Sequence, residues 1–346
     1  MPNVTAAAAD PRRALLEQWL RDELRFASAA LTPASSDASF RRYFRAHDRG
    51  RSFIVMDAPP EREDCGPYIA VAAALREIGV NVPEVLQADR ARGLLLLSDL
   101  GSTPYFAALG AGADAERLYH DATEALLTIQ LRGAAAATRL APYDAAALDR
   151  EVQLFPDWFL ERHLDAAPAA AERALITRAS AQLAAAAREQ PQVFVHRDYH
   201  SRNLMLTPAH NPGILDFQDA LCGAVTYDLV SLFKDCYLVW PRARALGWVR
   251  DYRRRALAGG LAIPGDEADF VRWFDLMGLQ RHLKVLGIFA RLWYRDGKPA
   301  YLGDLPAVLD YVLATTAAYG EFAELDRFLR AAVAPRFAQA QARALA

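Results

Sequence analysis

At 346 residues the chain is long enough to bury a large core and to divide into two lobes. Its formal net charge of −2 gives no electrostatic basis for nucleic acid or an anionic membrane as a partner, and no run of about 18 apolar residues is available to span a bilayer. Cys65, Cys222 and Cys236 lack C-x-x-C spacing, which argues against a disulfide framework or a zinc site.

In chain order, Met1 to Arg13 lacks the basic start and sustained apolar core of an export signal, so the cytoplasm is the expected compartment. Ala14 to Phe26 has helical periodicity. Phe40 to Ala46 and Arg51 to Asp57 read as strands joined by the polar turn His47-Asp48-Arg49-Gly50. A helical run from Pro67 to Ile78 stops at Gly79, a residue suited to a helix C-terminus. Glu84 to Ala88 and Leu94 to Leu97 form a second strand pair, and Asp99-Leu100-Gly101 breaks the pattern. Helical periodicity dominates from Ala113 onward, including the Ala-rich run Ala166 to Ala187. Short strands around Val193 to Val195, Leu204 to Leu206 and Gly213 to Leu215 interrupt it. The expected organisation is α+β, with a strand-rich lobe over residues 1–98, a hinge over 99–101 and a helical lobe over 102–346.

The chemistry concentrates in two phrases. Val195-His196-Arg197-Asp198-Tyr199-His200-Ser201-Arg202-Asn203 reads H-R-D-x-x-x-x-N, and Ile214-Leu215-Asp216-Phe217-Gln218-Asp219 is an apolar strand ending in D-F-Q. Phosphoryl transfer from ATP needs a carboxylate to orient the attacking hydroxyl, and oxygen-bearing side chains to hold magnesium against the phosphates. Asp198, Asn203 and Asp216 supply these in the order that kinases use. A lone Asp or Asn would carry no such meaning, because both are common loop formers.

These phrases give the chain a resemblance to the aminoglycoside phosphotransferase and choline kinase superfamily, whose fold is protein-kinase-like and two-lobed. Further phrases are similar to the bacterial anomeric kinases that phosphorylate N-acetylmuramate and N-acetylglucosamine in peptidoglycan recycling. They are Asp37-Ala38-Ser39-Phe40-Arg41-Arg42-Tyr43-Phe44-Arg45, Asp216-Phe217-Gln218-Asp219-Ala220, Gln280-Arg281-His282-Leu283-Lys284, Gly287-Ile288-Phe289 and Tyr294-Arg295-Asp296-Gly297-Lys298.

The resemblance implies that Asp198 is the catalytic base and that Asn203 and Asp216 are magnesium ligands, with ATP as co-substrate and an amino sugar as acceptor. It implies that Asp228 braces the catalytic loop, although a plain helix cap would use the same residue. His196 reads as a structural histidine and His200 as either structural or in contact with substrate. The phosphate-covering turn contains Ser36-Asp37-Ala38-Ser39 and no glycine, with Ser39 offering a hydroxyl. Val55 or Met56 stands where kinases carry a phosphate-binding lysine. Arg42 or Arg45 could supply that charge, or face solvent. The adenine is expected at the backbone of Ser98, Asp99 and Leu100. For the acceptor, Gln218 and Asp219 follow Asp216 directly, and the cationic group Arg281, His282 and Lys284 suits a sugar carboxylate. A solvated helical face is the alternative for that group. Other acceptors on the same fold are an aminoglycoside, choline or another small alcohol, and a nucleotide-binding pseudokinase scaffold is a third reading. Nothing in the sequence identifies a protein partner.

Overall fold

The computed structural model describes residues 10–35 and 40–344. The chain forms two compact units. The first runs to Thr103 and also takes Met205–Gln218, while the second holds Pro104–Leu204 and Asp219 onward. The contiguous division read from the sequence assigned Met205–Gln218 to the helical lobe. Long-range bonds explain its place in the first unit: Leu206 N–H donates to the Thr103 carbonyl at 2.8 Å and Ile214 N–H to that of Asn81 at 2.8 Å.

The first unit is a five-stranded antiparallel sheet with a leading helix. Helix α1 (Pro11–Gln18) is capped by Asp10 and runs into a wider π turn over Trp19–Glu23. The strands are β1 (Thr32–Ser35), β2 (Arg42–Asp48), β3 (Arg51–Asp57), β4 (Val85–Asp89) and β5 (Leu94–Ser98), in the order β1-β2-β3-β5-β4. Helix α2 (Gly66–Glu77) precedes β4, and Gly79 follows it at φ +88°. The β2–β3 turn places Arg49 and Gly50 at φ +47° and +77°, a backbone twist that matches the strands it joins. Strand parity then sorts the side chains. Phe44, Ala46, Phe53, Val55, Leu94 and Leu96 pack with Leu16, Trp19 and Leu20 of the leading segment. Leu95 and Leu97 are buried on the other face, which is why β5 reads as an unbroken run of leucines.

In the second unit the main helices are α3 (Ala115–Arg132), α4 (Ala145–Val152), α5 (Ala170–Glu189), α6 (Tyr227–Phe233), α7 (Arg242–Ala258), α8 (Glu267–Tyr294) and α9 (Leu305–Ala318). Strands β6 (Gln192–Val195) and β9 (Leu221–Ala224) pair antiparallel, with Phe194 opposite Cys222. The chain between them makes the short pair β7 (Leu204–Met205) and β8 (Gly213–Ile214), of which all but Leu204 belongs to the first unit. Helix α8 is the axis of this unit, and every residue from Trp273 to Gly287 is buried. A helix enclosed on all sides needs small residues where backbones meet. A Cβ on Gly287 would lie 2.3 Å from the Leu154 carbonyl, so only glycine permits that approach. Among the described residues no helix is long and apolar enough to cross a membrane.

Asp57 anchors the leading helix to the sheet. Its carboxylate is fully buried and accepts from Arg12 Nε at 2.9 Å and from Arg42 Nε and Nη2 at 3.0 and 2.6 Å. Removing a carboxylate between cations leaves their charge uncompensated, a loss softened here because both arginines reach water. Asp57→Ala should therefore cost about 1–3 kcal/mol of unfolding free energy in urea titrations. An unchanged midpoint would show that α1 docks through its apolar face alone.

Candidate active site

In the second unit the H-R-D-x-x-x-x-N phrase is a loop between β6 and β7, held at nearly every residue. Asp228, fully buried at the start of α6, accepts the backbone N–H of His196 at 2.7 Å and of Arg197 at 2.9 Å. Burial pushes the Asp228 carboxyl up to about 7, against the lowering action of those amides and of Arg281. Arg197 has φ +79°, a left-handed conformation that a non-glycine residue keeps only when its surroundings enforce it. Its carbonyl accepts from Arg281 Nη1 at 2.7 Å and from Ser231 Oγ at 3.1 Å, so both sides of the strained peptide are fastened. His196 is fully buried, and its Nδ1 accepts the Asp198 N–H at 3.3 Å.

Beyond Asp198 the loop closes on itself. The Asp198 carbonyl accepts from His200 N–H and from Asn203 Nδ2, each at 3.0 Å. Ser201 donates its N–H and hydroxyl to Asp235 at 3.1 and 2.5 Å. The His200 ring meets the edge of Tyr237 at 5.3 Å, and burial holds its imidazole below the ordinary histidine range.

The Asp198 side chain is 40% exposed and lies 3.3 Å from Arg281 Nη2, whose own side chain is 6% exposed. Burial opposes charge on Asp198, yet Arg281, Lys284, His200 and Arg197 together hold its carboxyl well below the usual carboxylate range. Arg281 also donates to Tyr227 Oη at 3.1 Å. Lys284 donates to the same hydroxyl at 3.1 Å and pairs with Glu151 at 2.9 Å. Glu151 also pairs with Arg197 and accepts from Tyr143, and those cations outweigh the effect of its burial and keep it ionised. Arg281 and Lys284 are thus parts of a buried network around the loop, and the solvated face weighed from the sequence does not exist. His282 points elsewhere. It stacks on Tyr311 at 4.6 Å with Nε2 3.1 Å from the Lys234 carbonyl, so the structure does not bring it to Asp198.

In the first unit Asp216 sits at φ +62°, and its Oδ1 accepts Gln218 Nε2 at 2.7 Å. Phe217 packs inward on Tyr68, with ring centroids 4.9 Å apart. Gln218 is buried beside Asp216, whereas Asp219 is exposed in the second unit and gives its carbonyl to Arg197 at 3.5 Å. Ser98 Oγ accepts the Glu84 N–H at 2.8 Å, and Leu100 packs so closely on Gly213 that a Cβ there would meet it at 2.9 Å. Arg45 grips Asp99 through Nε and Nη2 at 2.6 and 3.0 Å and reaches the Gly101 carbonyl at 2.9 Å. Arg42 is divided between Asp57 and Asp10. The guanidinium beside Asp216 belongs instead to Arg41, with Nη2 3.8 Å from Oδ1 and 10% of the side chain exposed. The sequence reading did not single out Arg41. Ser39 lies outside the described residues.

The sequence profile of the phosphotransferase enzyme family matches residues 30–269. The chain belongs to that family. It is 50% identical over 301 residues to the N-acetylmuramate/N-acetylglucosamine kinase of Pseudomonas aeruginosa, covering 87% of this chain and 88% of that protein. It is 45% identical over 330 residues to the kinase of the same name from Pseudomonas putida, covering 92% and 96%. Among solved structures, a choline/ethanolamine kinase family protein from Mesorhizobium loti superposes with a TM-score of 0.60 at 15% identity, over 95% of this chain and 99% of that one. The AMP-bound complex of a spectinomycin phosphotransferase also gives 0.60, at 12% identity over 87% and 98%. The phosphotransferase family's kinase-like α+β fold is therefore the fold of this chain.

The buried histidine on α8 has a measurable consequence. Burial, then the nearby Lys234 and Arg281 charges, push the His282 imidazole down to about 3. An unfolded histidine takes its proton near pH 6.5. Between those values the unfolded state binds more protons, so stability falls as pH is lowered, by about 1.4 kcal/mol per pH unit from this residue. His282→Gln should flatten the decline in unfolding free energy between about pH 6 and pH 4.5. An identical slope in parent and variant would show that His282 protonates in the folded protein.

Proposed function

We propose that this protein is an ATP-dependent kinase that phosphorylates the anomeric hydroxyl of N-acetylmuramate and N-acetylglucosamine, in the cytoplasm, as a step of peptidoglycan recycling. The observation that carries the acceptor is the half-identity, over most of both chains, with a relative named for those two sugars. The site geometry supports phosphoryl transfer as the reaction. Asp198 is an ionised carboxylate on a loop fixed by Asp228, Arg281 and Asp235.

In this reading the Asp198 carboxylate accepts the hydrogen of the attacking hydroxyl and sets its direction. Arg281 keeps that carboxylate charged and fixes the peptide before it. His196 and Asp228 hold the loop from beneath, and His200 borders the acceptor. The donor set fits magnesium, which takes hard oxygen ligands and binds through few carboxylates alongside phosphate oxygens. Asp216 offers a carboxylate that is 32% exposed. Asn203 commits Nδ2 to the Asp198 carbonyl, so Oδ1 is the atom through which it would meet the ion. Once bound with the nucleotide, the ion neutralises charge on the phosphates. The adenine is assigned to the Ser98, Asp99 and Leu100 backbone, where Asp99 is locked by Arg45. The phosphate-binding cation is assigned to Arg41 on its position, since its guanidinium pairs with Asp216 at 3.8 Å. A guanidinium at that place would pair with phosphate oxygens if Asp216 held the ion.

The test of the reaction is the product. With ATP and magnesium, either free sugar should yield a 1-phosphate whose anomeric proton couples to phosphorus in NMR, and Asp198→Asn should lower turnover by about 10²–10⁴-fold. A 6-phosphate product, or an Asp198→Asn variant as active as the parent, would overturn the assignment.

The Arg41 assignment has its own kinetic signature. Arg41→Ala should raise the KM for ATP about tenfold or more, since a charge-assisted contact to phosphate is lost. The sugar KM should move much less. An ATP KM within about twofold of the parent would return the phosphates to metal and backbone amides alone.

A further inference from the structure

N-acetylmuramate differs from N-acetylglucosamine by a lactyl ether on carbon 3, which carries a carboxylate. A site that takes the acid must balance that charge, because a carboxylate brought from water beside Asp198 and Asp235 without a cation is strongly disfavoured. The cations of the second unit that border the loop are Arg197, Arg202, Arg281 and Lys284. Three of them are occupied. Arg281 holds Asp198 and the Arg197 carbonyl, Lys284 holds Glu151, and Arg197 pairs with Glu151.

Arg202 is different. It stands between Ser201, fastened to Asp235, and Asn203, fastened to the Asp198 carbonyl, so its backbone position relative to the base is set. Its side chain is 38% exposed, and its one ion pair among the described residues is with Asp304 at 3.9 Å, too long for a hydrogen bond. Instead of a carboxylate, the guanidinium lies on aromatic faces, 3.5 Å from the centroid of Tyr237 and 5.0 Å from that of Phe106. A stacked guanidinium is held flat while its N–H edge stays available for two parallel bonds to a carboxylate, and it loses little freedom on making them.

We propose that Arg202 is the specificity residue that receives the lactyl carboxylate of N-acetylmuramate. The proposal rests on the acceptor reading given above. The neutral sugar makes no use of this contact, so Arg202 discriminates between the two acceptors without taking part in phosphoryl transfer.

The experiment pairs the enzyme variant with a matching change in the sugar. Parent, Arg202→Gln and Arg202→Lys are assayed for 1-phosphate formation with N-acetylglucosamine, N-acetylmuramate and the primary amide of N-acetylmuramate. For Arg202→Gln the KM penalty on N-acetylmuramate should exceed that on N-acetylglucosamine by about 10–100-fold, with Lys recovering part of it. The parent should lose a similar factor on the amide, and Arg202→Gln should add little to that loss. Equal penalties on the acid and on N-acetylglucosamine would make Arg202 a structural part of the loop and overturn the proposal. A parent that binds acid and amide equally well would overturn it even if the variants fail to fold. A parent active on N-acetylglucosamine alone sinks only the Arg202 assignment, whereas a parent inactive on both sugars sinks the acceptor reading and this proposal together.

Discussion

The active loop depends on one buried carboxylate. Asp228 receives two successive backbone N–H groups, and with the Arg281 and Ser231 bonds on the following carbonyl it holds Arg197 in a left-handed conformation. That conformation costs on the order of 1–3 kcal/mol for a non-glycine residue and persists only where surrounding bonds over-determine it. Here they come from α6, every residue of which is buried, and from α8, which is packed by the unit's own apolar core. Position is thus passed from helix packing to a peptide plane, and from that plane to the Asp198 side chain.

The charges around the loop follow from the same arrangement. Asp198 and Glu151 pair with Arg197, Arg281 and Lys284, the Tyr143 hydroxyl donates to Glu151, and the Tyr227 hydroxyl accepts from both Arg281 and Lys284. Burying so many ions is poor economy for stability, because desolvation offsets most of the attraction. Its value is geometric. Each cation touches more than one acceptor, so moving any one of them leaves another charge unpaired in a low-dielectric setting.

Much of this was legible in the sequence. The spacing of Asp198, Asn203 and Asp216 carried the kinase reading, the polar turn His47–Gly50 between two apolar runs located β2 and β3, and the leucine run Leu94–Leu97 located β5. The partners of the cations were not legible. Helical periodicity marks one face of a surface helix, but α8 is enclosed on all sides, so Arg281, His282 and Lys284 looked like neighbours on a face and instead point to different partners. Arg42 could have been set aside on parity alone. It shares a face with Phe44 and Ala46, which is the face that packs on the leading helix. Arg45 could not, because its partner Asp99 is joined to it only through the sheet. Strands β1 and β9 were missed because Thr32–Ser35 and Leu221–Ala224 hold Pro, Ser, Gly and Ala where the equally short β6 has the strand-forming run Val193-Phe194-Val195.

A carboxylate held far below its ordinary range is a weak base, and that sets limits on the proposed chemistry. Were proton removal the difficult step, the network would be working against catalysis by stabilising the charged form of Asp198 before any proton moves. In a loose phosphoryl transfer the acceptor oxygen bonds late and its proton becomes acidic only as that bond forms, so basicity matters less than direction. An anomeric hydroxyl eases the demand further, since the ring oxygen withdraws charge from it. The depressed Asp198 carboxyl and the rigid peptide before it therefore belong to one strategy. Under the proposed reaction, base strength is traded for a negative acceptor kept in a fixed place, and the rate would come from alignment and charge neutralisation around the transferring group.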